Sequence, residues 1–185
     1  MDRLFCSVTR ATRQGVIRGA LPLLLQGLAL ALLVPPAACA RATNPFAHTF
    51  ESPEQLAAAV GEALERRDAD RLLALALSEE EFRTHVWPRL PASRPERGAP
   101  FGFVWAQLSS KSRAWLRQSL ADHGGGRLEV VRVRFRGDTT DHGPFLVHRD
   151  AEVVVNDGGT ERRLRLFGSV LEQNGRYKLF SYVVD

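Results

Sequence analysis

The densest run of reactive side chains in the sequence is Asp138-Thr139-Thr140-Asp141-His142, with His148 close behind. Carboxylates and imidazoles together are a donor set that suits a divalent cation. The same stretch is also rich in residues that close a hairpin, because Asp and Thr side chains bond their own backbone. Metal ligands are held on rigid elements, so the run reads as a loop, and neither a metal nor a cofactor is expected. A second group, His148, Asp150 and Glu152, alternates along one strand face. A His–Asp pair inside a pocket would act as a general base and its partner. On an open face the same residues pair across strands with Arg132, Arg134 and Arg136, each pair worth about 0.2–1 kcal/mol. Arg134, His148 and Glu152 are therefore candidate contacts for a partner, and Asp150 is a candidate acid or base. His85 and Trp87 form a third group, ahead of a proline-rich run that would make a pocket mouth. His85 is the other candidate acid or base; Trp87 is a binding candidate or a core anchor.

Other chemistry is not spelled out. The sequence has no P-loop, no dinucleotide-binding glycine fingerprint, no G-x-S-x-G elbow and no H-E-x-x-H. Its two cysteines, Cys6 and Cys39, precede the expected domain, which leaves no thiol nucleophile or disulfide inside it. The formal net charge of +4 is misleading, because residues 1–38 hold Arg3, Arg10, Arg13 and Arg18 against Asp2. The rest of the 185-residue chain is almost neutral, which argues against nucleic acid as a partner. Composition, at 44% hydrophobic and 25% charged, is that of a globular domain rather than a disordered or multi-span chain.

Helical signals come first. Ser52-Pro53-Glu54-Gln55 has the form of a capping box, with Leu56, Ala59, Val60, Ala63 and Leu64 at helical spacing behind it. Asp68 or Asp70 can cap a second short helix. Ser78-Glu79-Glu80-Glu81 opens a third, which must stop near Trp87 because Pro88 follows. Residues 88–100 read as a loop. The spacing of Val104, Leu108, Trp115, Leu116 and Leu120 predicts a long helix over 101–123, ended by Gly124-Gly125-Gly126. From Leu128 the period changes to two, and four strands can be drawn: 128–136, 145–156, 162–172 and 177–184. The expected class is α+β, with N-terminal helices packed on one face of a curved C-terminal antiparallel sheet of about four strands.

The first 38 residues read as a secretion signal, with a positive start and an apolar run from Ala20 to Val34. That run is too short for the hydrocarbon core of a bilayer. Ala37-Ala38-Cys39 resembles the bacterial lipobox, although Pro36 stands where that motif has an aliphatic residue. The resemblance implies that Cys39 is acylated and becomes the N-terminus. Cleavage after Ala40 is the competing reading, since Ala38-Cys39-Ala40 fits the A-x-A pattern. Residues 39–50 are then a tether, and residues 51–185 a single domain.

The order of elements over about residues 51–185 resembles the nuclear-transport-factor-two-like, or cystatin-like, cone. The stretch Phe167-Gly168-Ser169-Val170-Leu171 to Tyr182-Val183-Val184 is similar to the closing hairpin of small bacterial members. The resemblance implies a fold and no active-site residue, because isomerases, dehydratases, cyclases and members without chemistry all share it. The expectation is an exported, lipid-anchored protein of the periplasm or outer membrane, without catalysis. It would bind a protein partner through the sheet face or a small apolar molecule in the cone. The alternatives are a small isomerase or hydro-lyase using His85 or Asp150, and an envelope assembly subunit that homodimerises through an open sheet face.

Overall fold

The computed structural model describes residues 44–184; the segment expected to be a secretion signal, with Cys6, Cys39 and the expected cleavage positions, lies outside the described residues. The protein is α+β, with helices first and two antiparallel sheets after them.

The helix starts follow the capping chemistry of the sequence. Helix α1 (Pro53–Glu65) begins where the Ser52 hydroxyl accepts from the Gln55 N–H at 3.2 Å, with Pro53 in the first turn. It buries Leu56, Ala57, Val60, Ala63 and Leu64. Helix α2 (Ala69–Leu75) is capped by Asp68, whose carboxylate accepts from the Arg71 N–H at 2.8 Å. Helix α3 (Glu79–Glu81) opens with a complete capping box between Ser78 and Glu81. It widens into a π turn, Phe82–Val86, and tightens into a 3₁₀ turn at Trp87–Arg89, where Pro88 has no N–H to continue the helix. Two more 3₁₀ turns, Pro91–Ser93 and Pro95–Arg97, fill the loop. Helix α4 (Phe101–His123) ends on glycine as expected. Gly124 N–H returns to Leu120 O, and Gly125, at φ +88°, donates to Leu64 O at 3.0 Å. The end of α4 thereby caps the end of α1.

The sheet region differs from the four strands that can be drawn by period alone. Seven strands form two sheets: β1 (Glu129–Phe135), β4 (Ala151–Asp157) and β5 (Thr160–Leu164) in order β1-β4-β5, and β2 (Thr139–Asp141), β3 (Leu146–His148), β6 (Ser169–Gln173) and β7 (Arg176–Ser181) in order β2-β3-β6-β7. The second expected strand is broken at Arg149-Asp150, where Asp150 has φ +55°. The third is broken at residues 165–168, so each supplies one strand to each sheet. Gly168 makes that crossing possible. Its N–H reaches Ser181 O and its carbonyl accepts from Ala151 N–H, and a Cβ there would overlap the Val183 carbonyl.

A bulge between Val130 and Arg132 also resets the alternation of β1. Val130, Val133 and Phe135 pack on the core, while Val131, read from period two as inward, is 43% exposed. Outside, Val154 is nonetheless buried, because its register neighbours are Arg132 and Arg163, whose stems lie on either side of it.

Two apolar clusters result. The first joins α1, α2 and the inner faces of both sheets around Leu56, Leu64, Val153, Phe167 and Leu179. The second lies on the other side of the four-stranded sheet, where Phe82 meets Trp87, Phe101, Trp105 and Phe180 at ring separations of 5.4–6.4 Å. Residues 44–50, a tether by composition, contribute to both. Phe46 is buried in the second cluster, and Phe50 pairs with Tyr177 through two backbone bonds while packing on the first.

Candidate functional site: a groove beneath the long helix

Helix α4 has an apolar side too narrow to bury along its whole length. Only Leu116 and Ser119 are fully covered, and both lie in its C-terminal half. Its N-terminal half packs only in part on the second cluster, through Phe101, Val104, Trp105 and Leu108, and the proline-rich 3₁₀ turns form a lip facing it. The space between is a groove of about 770 Å³. Its floor is apolar: Leu90, Val104, Leu108, Val147 and Phe180 come from the lip, the helix and the sheet. Such a volume lies in the usual range for a small-molecule site.

The charged lining is one-sided. Arg97, Lys111 and Arg149 border the groove together with His142, and among the described residues no Asp or Glu does. None of these three cations enters an ion pair among the described residues. The backbone registers place Lys111 and Arg149 toward the same end. The Ser112 hydroxyl accepts from Tyr182 N–H at 3.0 Å, which sets the 111–112 turn of α4 against the end of β7. Arg149 follows His148, the register partner of Val170, and Ser169 and Ser181 are paired beside it. Both serines line the groove.

The residues singled out by type fall elsewhere, and they do not meet in one site. Asp150 forms an ion pair with Arg165 at 3.3 Å beside the strand break. Glu152 accepts from Arg136 at 2.9 Å, and this bond holds its carboxyl below the usual glutamate range. Arg134, its register partner, is exposed. Trp87 packs on Phe82 and Phe101 as a core residue. His85 lies edge-on to Phe46 with centroids 5.7 Å apart. It lines a second open groove with His48, Glu81 and Lys178. The run read as a loop is in part strand, since Thr139–Asp141 pair with β3, and Asp141 at its end accepts from Gly143 N–H at 2.7 Å to close the turn.

His148 is the most heavily engaged of the group. Its Nε2 lies 2.7 Å from Glu172, its Nδ1 lies 2.9 Å from the Thr139 hydroxyl, and its ring stacks on Phe135 with centroids 4.7 Å apart. A hydroxyl, an imidazole and a carboxylate in line can relay a proton. However, His148 lines neither groove. It joins the sheets, since Phe135 is on β1 and His148 on β3. Tyr177 sits opposite Glu172, and burial, then the Glu172 charge, pushes its phenol above the usual tyrosine range.

Sequence reasoning missed Lys178. Its side chain is 1% exposed, donates to Ala47 O at 2.8 Å and faces Glu81 at 3.5 Å. Burial lowers its pKa from the usual lysine value, and Glu81 opposes that shift. The signal was present, since period two places Lys178 between Tyr177 and Leu179 in a strand whose both faces are covered. Among the described residues no group of three His, Cys, Asp or Glu side chains converges as metal ligands would, and no helix is long and apolar enough to cross a membrane. Comparison of the chain with family models, with curated proteins and with solved structures gave no match.

Proposed function

We propose that the protein is a non-catalytic binding protein that takes a small apolar molecule into the groove beneath α4. The observation that carries this reading is the groove itself, with an apolar floor of five side chains from the lip, α4, β3 and β7. The acid–base candidates give no support to an isomerase or hydro-lyase. His85 and Asp150 lie apart, Asp150 is committed to Arg165, and His85 rests on Phe46. The reading includes the secretory route: an N-terminal signal, acylation at Cys39 and display from the membrane at the periplasm or outer membrane. It also takes the domain as a cone of the nuclear-transport-factor-two-like type, with the groove on the four-stranded side. The supports for these parts are the residues of the N-terminus and the order of elements.

Titration with the neutral fluorophore N-phenyl-1-naphthylamine tests the binding claim. Saturable enhancement is expected, abolished by Leu108→Trp, which fills the floor, with the circular dichroism spectrum unchanged. Enhancement that survives Leu108→Trp, or none in the parent protein, would overturn it.

A further inference from the structure

The groove has a direction. Its floor is apolar along Leu90, Val104, Leu108 and Phe180, and its far end gathers Lys111, Arg149, Ser169 and Ser181. Among the described residues of the lining, the charged side chains at that end are Lys111 and Arg149, and no carboxylate joins them. An uncharged apolar molecule would leave these two cations unused; a cationic one would be repelled. Resting on the binding role argued above, we infer that the ligand is a single-chain anionic amphiphile, such as a fatty acid, with its carboxylate between Lys111 and Arg149 and its chain on the floor.

The chemistry on each side matches. An ammonium and a guanidinium both donate charge-assisted hydrogen bonds to a carboxylate, and a guanidinium can do so with two parallel N–H groups. The serine hydroxyls can donate to the same oxygens. Arg97, on the lip, adds positive potential over the mouth and steers anions toward it. The chain contributes by burial, so affinity should rise about fourfold per methylene until the floor is covered, from about 0.8 kcal/mol per CH₂. A groove of about 770 Å³ is of small-molecule size, which favours a monomeric amphiphile over a bilayer surface.

The test is calorimetric titration of the full chain with three dodecyl probes below their micellar concentrations: dodecanoate, dodecanol and dodecyltrimethylammonium. Phosphatidylglycerol vesicles form a fourth arm. Dodecanoate is expected to bind about tenfold or more tightly than dodecanol, and the ammonium probe least. Lys111→Glu with Arg149→Glu, both exposed and free of internal ion pairs, should remove the carboxylate preference while dodecanol binding is kept. Equal affinity for the three probes would overturn the anionic assignment and leave the apolar groove intact. Failure of all three would remove both readings. Binding to vesicles without binding to dodecanoate would overturn the inference in favour of a membrane surface.

Discussion

Glu81 and Lys178 form a buried pair whose two members should respond very differently to substitution. The Lys178 side chain is 1% exposed and that of Glu81 11%. Besides facing Lys178 at 3.5 Å, Glu81 accepts from Ala47 N–H at 2.7 Å and from Ser78 N–H at 2.8 Å, while Lys178 donates to Ala47 O. Glu81→Gln leaves a buried ammonium facing an amide, which costs about 3–5 kcal/mol, and it forfeits one capping bond at about 1 kcal/mol. Lys178→Met removes the charge that is costly to bury. It leaves Glu81 with two backbone donors and Ala47 O without its partner, for a loss of about 1–2 kcal/mol. Joined, the two changes should fall short of their sum by about 2 kcal/mol or more.

The pH dependence has a definite sign. Burial puts the folded pKa of Lys178 below the unfolded one, so between the two values the unfolded chain holds more protons and stability rises with pH. Removing Glu81 takes away the group that opposes this shift and widens the window. Urea unfolding at pH 7 and pH 9.5 is the assay, and Glu81→Gln should recover more stability at the higher pH than the parent does. Equal and additive costs for the two single variants, or no alkaline recovery in Glu81→Gln, would refute the reasoning.

Gly168→Ala should prevent normal assembly or cost at least about 3 kcal/mol, because its Cβ meets backbone rather than a movable side chain; thermal unfolding checks this. Tyr182→Phe removes the bond from a buried hydroxyl to Leu72 O at 2.7 Å, one of the end carbonyls of α2, and should cost about 1–3 kcal/mol in urea titration. Burial pushes the Tyr182 phenol far above its usual range, so this contribution is present below about pH 10 and is lost as pH rises. The Phe variant should then show a flatter alkaline limb. Glu152 and Glu161 are held below the usual glutamate range by bonds from Arg136 and Arg132. Their stabilisation is present above the unfolded glutamate pKa and lost as pH falls, so Glu152→Gln with Glu161→Gln should flatten the acid limb of the stability curve.

The helical half was legible because its signals are local. Ser52, Asp68 and Ser78 sit at the caps they announce, Pro88 ends the third helical segment, and Gly124-Gly125 closes α4. The sheets were legible in class and less so in detail. Asp150 at positive φ and the stretch around Gly168 transfer the chain between sheets, and neither interrupts the alternation of side chains enough to be read. The bulge at β1 similarly leaves composition unchanged while turning Val131 outward. Trp115, placed on the packing stripe of α4 by spacing, is 40% exposed. Of the groove, only the proline-rich lip stood out in the sequence, since the rest of its lining comes from α4 and four strands of the second sheet. The individual residues, Leu108 or Arg149 for example, carry no pattern of their own. Conversely, His148 looked chemical from its neighbours in sequence, and in space its partners Glu172 and Phe135 make it a joint between sheets.

Methyl-resolved nuclear magnetic resonance during titration with dodecanoate tests the binding groove most directly. Saturable shifts at Val104, Leu108 and Val147, with the methyls of Val153 and Val155 in the other cluster unmoved, are the expected result. Shifts centred on the three-stranded sheet, or no shifts at saturating probe, would contradict it.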